Sequence, residues 1–460
     1  MSDFRPLHEW NGPPGSLVVW RPTPDTWTAV REAATSPVPP SHEQEQHLWA
    51  YRACERQQSE MARLLIVTWQ EPGLCDVRTM TQVLNAYLQH HDTYHSWFQE
   101  QDGVIQRRLV QEPGAIRLEA VDLGIASANE WQAHVASTPS PFDWDCFRFG
   151  IIQRPDSFTC FASIDHPHTD GSVAPLVWNG IQREYHARVN GDAATSGSSR
   201  ASYLDYCAAQ RQRTAVLTLA DPAVAGWLEA LHAEGGHLPR TPLDLGDVPS
   251  RSPAEHVTMD LLDAPAADRF DAACREVGAR GLGGVLACAA LAERSMLGTR
   301  RFGAVTPTTT RKTAEQFRMA GWCMGVVPIS LDIADASFRE LAAAAQRCFG
   351  ERRPLADVPI ERVFELARDV PGIDHTGAGA VMVSYMDTSL PPFTRKFSSK
   401  WDAARGQVFM NPGVAGQVAL WFWRTPRGLG VSAAYPATAT ARASVAMYLH
   451  AIREACLRAT

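Results

Sequence analysis

Two imidazoles, a carboxylate and a glycine stand within six residues in the segment His166-Pro167-His168-Thr169-Asp170-Gly171. A neutral imidazole near pH 7 can take a proton from a hydroxyl or an amine as that group attacks a carbonyl. His166 is the candidate base. Asp170, four residues on, could fix the turn from inside by pairing with a buried arginine. Gly171 would allow tight backbone geometry where a side chain would obstruct a cleft or the start of a helix.

Three other readings compete. His166 and His168 could be ordinary turn histidines, with Asp170 capping the next helix. His166-x-His168-x-Asp170 also resembles the H-x-H-x-D-H box of zinc hydrolases, with Gly171 in place of the final histidine. His90, His91 and His95 stand at no recognisable ligand spacing. A third reading is a binding or scaffolding protein that carries the motif without catalysis. No G-x-S-x-G elbow and no G-x-x-x-x-G-K-[ST] loop occurs, which argues against a serine hydrolase of that kind and against a P-loop.

The motif needs rigid elements on both sides. The apolar runs Cys146 to Gln153 and Phe158 to Asp165 flank Arg154-Pro155-Asp156-Ser157 and predict a β-hairpin. The motif follows its second strand directly. Val173, Leu176, Val177, Ile181 and Tyr185 then mark one face of a helix over 172–189. Upstream, the spacing predicts a helix over 41–56 with Ser41 as cap, a buried strand over 62–70 and an amphipathic helix over 77–90. The first 40 residues, rich in Pro and Trp, read as extended. The small polar run 190–200 is the best linker candidate. Further strands are expected over 302–308, 326–331, 380–386, 417–423 and 430–434, with a last helix over 439–457. Strands and helices mix without strict alternation, so an α/β fold of two lobes is expected. We divide it as 1–190, a linker over 191–215, and 216–460.

Composition narrows the function. Hydrophobic residues make up 45% and charged residues 20%, which is ordinary for a globular chain. The net charge is −7 and no basic block stands out, so no nucleic-acid partner is expected. Lysine occurs only at 312, 396 and 400, so nearly all cations are arginines, and these are scattered. The ten cysteines form no C-x-x-C pair, which disfavours a cysteine zinc site and predicts buried, reduced thiols. No apolar run could span a bilayer and no secretory signal is evident, so a cytoplasmic protein is expected.

The segment Ser163-Ile164-Asp165-His166-x-x-x-Asp170-Gly171 resembles the core motif of the condensation-domain superfamily, which includes chloramphenicol acetyltransferase. Ser41-x-x-Gln44 with Leu48-Trp49 resembles its first-helix signature, and His91-Asp92 through Phe98 the end of its next helix. Residues 321–329 (GWCMGVVPI) resemble the G-x-x-x-N-x-x-P strand. Residues 431–448 resemble the free-standing lipid acyltransferases, and the chain as a whole is most similar to free-standing polyketide-associated acyltransferases. The likeness covers nearly the whole chain. It implies an α/β fold with mixed sheets, built as two chloramphenicol-acetyltransferase-like lobes around a tunnel.

The same resemblance implies transfer of an acyl group from a thioester, either acyl-CoA or an acyl carrier protein, to a hydroxyl, with His166 as general base and no cofactor. Amide formation is the alternative within the fold. Asp170 would point away from substrate and pair with Arg311. Ser384 is a candidate tunnel-lining group. Peptide condensation domains usually carry two adjacent histidines, and here the first is Asp165. Strand alternation should turn it away from His166. The plant-type D-F-G-W-G motif is absent, and no carrier or adenylation domain is fused, so a free-standing monomer is expected.

Overall fold

The computed structural model describes residues 2–192, 201–249, 252–374, 379–388, 390 and 394–460. Two sheets dominate. The first has seven strands in the order Ser2–Pro6, Gln407–Met410, Leu64–Pro72, Ser157–Asp165, Phe147–Gln153, Gly15–Pro22 and Leu118–Ala126. The second has six, in the order Ala254–Asp263, Gly428–Pro436, Ala419–Thr425, Met382–Asp387, Arg301–Thr309 and Met324–Asp332. A three-stranded sheet of Ala34–Thr35, Val104–Leu109 and Ser96–Gln101 lies apart from both.

The expected hairpin is present, with Phe147 opposite Ile164 and Gln153 opposite Phe158. The motif strand Ser157–Asp165 is covered on both faces. Phe158, Cys160, Ala162 and Ile164 join the core beneath helices Val77–His90 and Val173–Val189, while Phe161 packs with Trp10 and Trp131 on the other side. Burying a Val, Leu, Ile or Phe side chain contributes about 1.5–3 kcal/mol. A strand buried on both faces is therefore a stiff base for the turn that follows it.

Local chemistry explains the flanking helices. Asp76 caps Val77–His90 by accepting from the Thr79 N–H at 3.0 Å, and Met80, Val83, Leu84, Tyr87 and Leu88 form its buried face. Helix His42–Arg56 begins with a reciprocal box. The Ser41 hydroxyl accepts from the Gln44 N–H, and Gln44 Oε1 accepts from the Ser41 N–H. The second lobe packs helices Ala264–Glu276, Gly281–Leu297, Phe338–Arg352 and Ala439–Arg458 on its sheet.

Three expectations need correction. The first 40 residues are not simply extended. They supply strands Ser2–Pro6 and Gly15–Pro22 to the first sheet and the helix Pro24–Arg31, capped by Thr23. The segment 191–215 is not all linker, because helix Tyr203–Ala215 fills most of it, while 193–200 lie outside the described residues. Ser202 caps that helix, and Asp92 accepts from its first N–H, that of Tyr203, at 2.9 Å. The chain also does not part cleanly at 190. Strand Gln407–Met410 pairs with Leu64–Pro72 in the first sheet, and Trp401 of helix Arg395–Ala403 is buried in the first core. Among the described residues, no helix is long and apolar enough to cross a membrane.

Candidate active site

His166 begins a short 3-10 turn, His166–His168, directly after the motif strand. Its backbone N–H donates at 3.0 Å to the carbonyl of Arg63, the residue just before the neighbouring strand Leu64–Pro72. Its ring Nδ1–H donates to the Thr169 carbonyl at 3.2 Å. A carbonyl can only accept, so this bond selects the tautomer with its free lone pair on Nε2. The side chain is only partly covered, although protein surrounds it closely. Burial, and next the nearby His47 ring, lower its pKa to about 4. The imidazole is therefore neutral at pH 7.

Trp322 and His47 complete the surroundings of that ring. The Trp322 ring lies over His166 at 4.6 Å between centroids, and His47 stands 5.9 Å away. Gly321 makes the Trp322 placement possible. Its φ of 136° suits glycine, and a Cβ there would collide with the Tyr203 ring. The motif turn is anchored from the other side by helix His42–Arg56, where Gln44 Nε2 donates to the Pro167 carbonyl at 2.7 Å. Buried Arg107 in turn donates to Gln44 Oε1 at 2.8 Å.

Asp170 and Arg311 meet at 2.7 Å, both almost fully buried. Ser172 donates to Asp170 from its N–H at 2.9 Å and from its hydroxyl at 2.6 Å, and the Cys323 N–H donates at 2.8 Å. Burial alone would raise the Asp170 pKa, but Arg311, Ser172 and the Cys323 N–H outweigh it and hold the carboxyl below its usual range. Arg311 spends its remaining donors on the Ser172 hydroxyl and on the carbonyls of Gln316, Met319 and Gly321. The cluster joins the motif turn to the second lobe, as the proposed turn-fixing role requires.

The other candidates fall less simply. Gly171 has no left-handed backbone, and a Cβ there would meet only Met386 Cε at 3.7 Å, an ordinary contact. Tight geometry is thus not what glycine supplies here. The contact instead shows the motif turn facing strand Met382–Asp387. Ser384 is two residues from Met386 on that strand and so shares its face. His168 points into the core. Its Nδ1 bonds the Thr93 hydroxyl at 2.9 Å, and Tyr94 packs on its ring at 5.4 Å. With Asp170 on Arg311 and His168 on Thr93, the three polar side chains of the motif do not converge. Among the described residues, no group of three or more His, Cys, Asp or Glu side chains could hold a metal ion.

Sequence reading missed His47 and Trp322. The segment 321–329 contains Trp322 but gives it no role, and His47 stands on a helix with no motif of its own. The turn of helix that carries Gln44 to Pro167 also carries His47 to the site. A histidine one turn after a capping-box glutamine was the available signal.

A condensation-domain family model matches residues 37–376. Over its full length the chain is 37% identical to trehalose-2-sulfate acyltransferase PapA2 of Mycobacterium tuberculosis, covering 97% of that protein. It is 35% identical to acyltransferase PapA3 of the same organism, over 97% of this chain and 94% of that one. The solved structure of PapA2 acyl transferase superposes with a TM-score of 0.94 at 36% identity, covering 100% of this chain and 99% of that one. The condensation domain of the Monacolin K polyketide synthase MokA shares the fold alone, with a TM-score of 0.70 at 16% identity over 92% of this chain and 98% of that one.

Proposed function

Because this chain belongs to the condensation-domain family and is an acyltransferase, we propose that it moves an acyl group from a thioester to a sugar hydroxyl, with His166 as general base. One observation carries the mechanism. His166 is neutral, its Nδ1–H is held by the Thr169 carbonyl, and its Nε2 is left to take a proton. As the acceptor oxygen bonds the thioester carbonyl carbon, Nε2 takes the hydroxyl proton. The tetrahedral oxyanion then collapses, the C–S bond breaks, and the imidazolium returns the proton to the leaving thiolate. The products are an ester and a free thiol. The thioester supplies the activation, so the scheme calls for no cofactor. Coenzyme A or an acyl carrier protein can present the donor.

The packing supports a positioning role for the neighbours. Trp322 covers the His166 ring and keeps water from one face of it. Asp170 and Arg311 hold the turn and touch no reacting atom. Ser384 is a hydroxyl lining the donor or acceptor path. The sugar acceptor rests on the likeness to PapA2, whose name gives trehalose-2-sulfate as its substrate.

A mass screen tests this reading. Palmitoyl-CoA is incubated with trehalose, trehalose-2-sulfate, 1-dodecanol and 1-dodecylamine, and the acceptors are weighed. Acylated sugar is expected. Acylation of the amine alone would overturn the ester reading in favour of amide formation.

A further inference from the structure

Asp165 does turn away from His166, but it turns to His47. His47 Nε2–H donates to Asp165 Oδ1 at 2.8 Å, and both residues are buried. Arg63 pairs with the other carboxylate oxygen and is itself anchored by the Pro139 and Thr138 carbonyls at 2.9 and 2.6 Å. Asp165 is thus shared between the His47 ring and the Arg63 guanidinium. In the tautomer that donates from Nε2, the ring keeps its lone pair on Nδ1. Among the described residues that Nδ1 has no hydrogen-bond partner, and it is not one of their sealed, unsatisfied polar atoms. The ring packs edge-on against Trp322 at 5.6 Å and lies beside His166 at 5.9 Å. The two imidazoles thus stand side by side against one tryptophan, each with one nitrogen tied down and one free.

We infer that His47, held by Asp165, is a second acceptor-binding group: its Nδ1 accepts a hydrogen bond from the hydroxyl next to the one that His166 deprotonates. The site would then select acceptors with hydroxyls on neighbouring carbons, as sugars have. Two rings with centroids 5.9 Å apart can reach two such oxygens at ordinary hydrogen-bond distance. The inference rests on the ester-forming reading above and adds a determinant of acceptor choice. No bond forms or breaks at His47. A purely structural Asp165–His47 pair would instead affect every acceptor alike.

The test compares kcat/KM for 1,2-dodecanediol with 1-dodecanol, and for trehalose with its 3-deoxy derivative, using palmitoyl-CoA as donor. The wild-type protein is expected to favour the member of each pair with the neighbouring hydroxyl. His47→Phe removes the acceptor nitrogen and is expected to lose about 10–100-fold on that member, at least tenfold more than on its partner, as for one buried hydrogen bond. His47→Asn places an amide oxygen near the former Nδ1 and should recover part of the preference. Melting temperatures are recorded for both variants. If His47→Phe does not fold, the wild-type preference and the Asn variant still decide the matter. Equal losses on both members, or no wild-type preference, overturn the inference. Failure of the wild-type protein to acylate any of the four would overturn the ester-forming reading itself.

Discussion

His166→Ala is expected to lower acyl transfer by about 10²–10⁴-fold, the usual span for losing a positioned general base. The fold should survive, because the side chain makes a single hydrogen bond and is only partly covered. Melting temperature should therefore move little while turnover collapses. His168→Ala should do the reverse. His168 is fully buried against Tyr94 and Thr93, so its loss leaves a cavity and an unpaired hydroxyl. The pH profile gives a second readout. Burial depresses the His166 pKa to about 4, so the base is neutral and competent above that value and is lost only below it. The acid limb of kcat/KM should thus centre near pH 4 rather than 6.5, and His166→Ala should abolish it. An acid limb near 6.5 would show that burial does not depress the His166 pKa, whereas thiol release indifferent to His166→Ala would remove His166 from the chemistry.

Asp170 and Arg311 should behave as a structural unit. Removing either leaves a charge in a site almost sealed from water, at about 3–5 kcal/mol. A domain has only about 5–15 kcal/mol of net stability. Asp170→Ala and Arg311→Ala should each give a low-melting or poorly soluble protein. The two losses should be unequal. Without Asp170 the Cys323 N–H loses its acceptor, whereas without Arg311 the carboxylate keeps Ser172 and Cys323. The double variant should lose less than the sum, because neither charge is left alone. A double-mutant cycle on melting temperature checks this. Strictly additive losses would show that the pair is not coupled. A stable but inactive Asp170→Ala protein would put Asp170 in the chemistry.

Features set by neighbouring residues were legible in the sequence. The Ser41 cap, the amphipathic face of Val77–His90 and the hairpin ending at Asp165 follow from local spacing, and the structure places them within a residue or two. The Asp170–Arg311 contact came from resemblance, not spacing, since the partners lie 141 residues apart. What stayed hidden depends on distant pairing. Strand Gln407–Met410 enters the first sheet between Ser2–Pro6 and Leu64–Pro72, and nothing in four residues announces a partner so remote. His47 and Asp165 meet across 118 residues, and strand alternation said only which way Asp165 would turn. The scattered arginines likewise gave no sign that Arg63 and Arg107 brace the supports of the motif turn.

The most direct measurement is the stoichiometry of thiol and ester when the wild-type protein meets palmitoyl-CoA with and without trehalose. Acyl transfer with His166 as base predicts that coenzyme A is released chiefly when the sugar is present, with one ester formed per thiol. Thiol released at the same rate without sugar, with palmitate in place of ester, would contradict it.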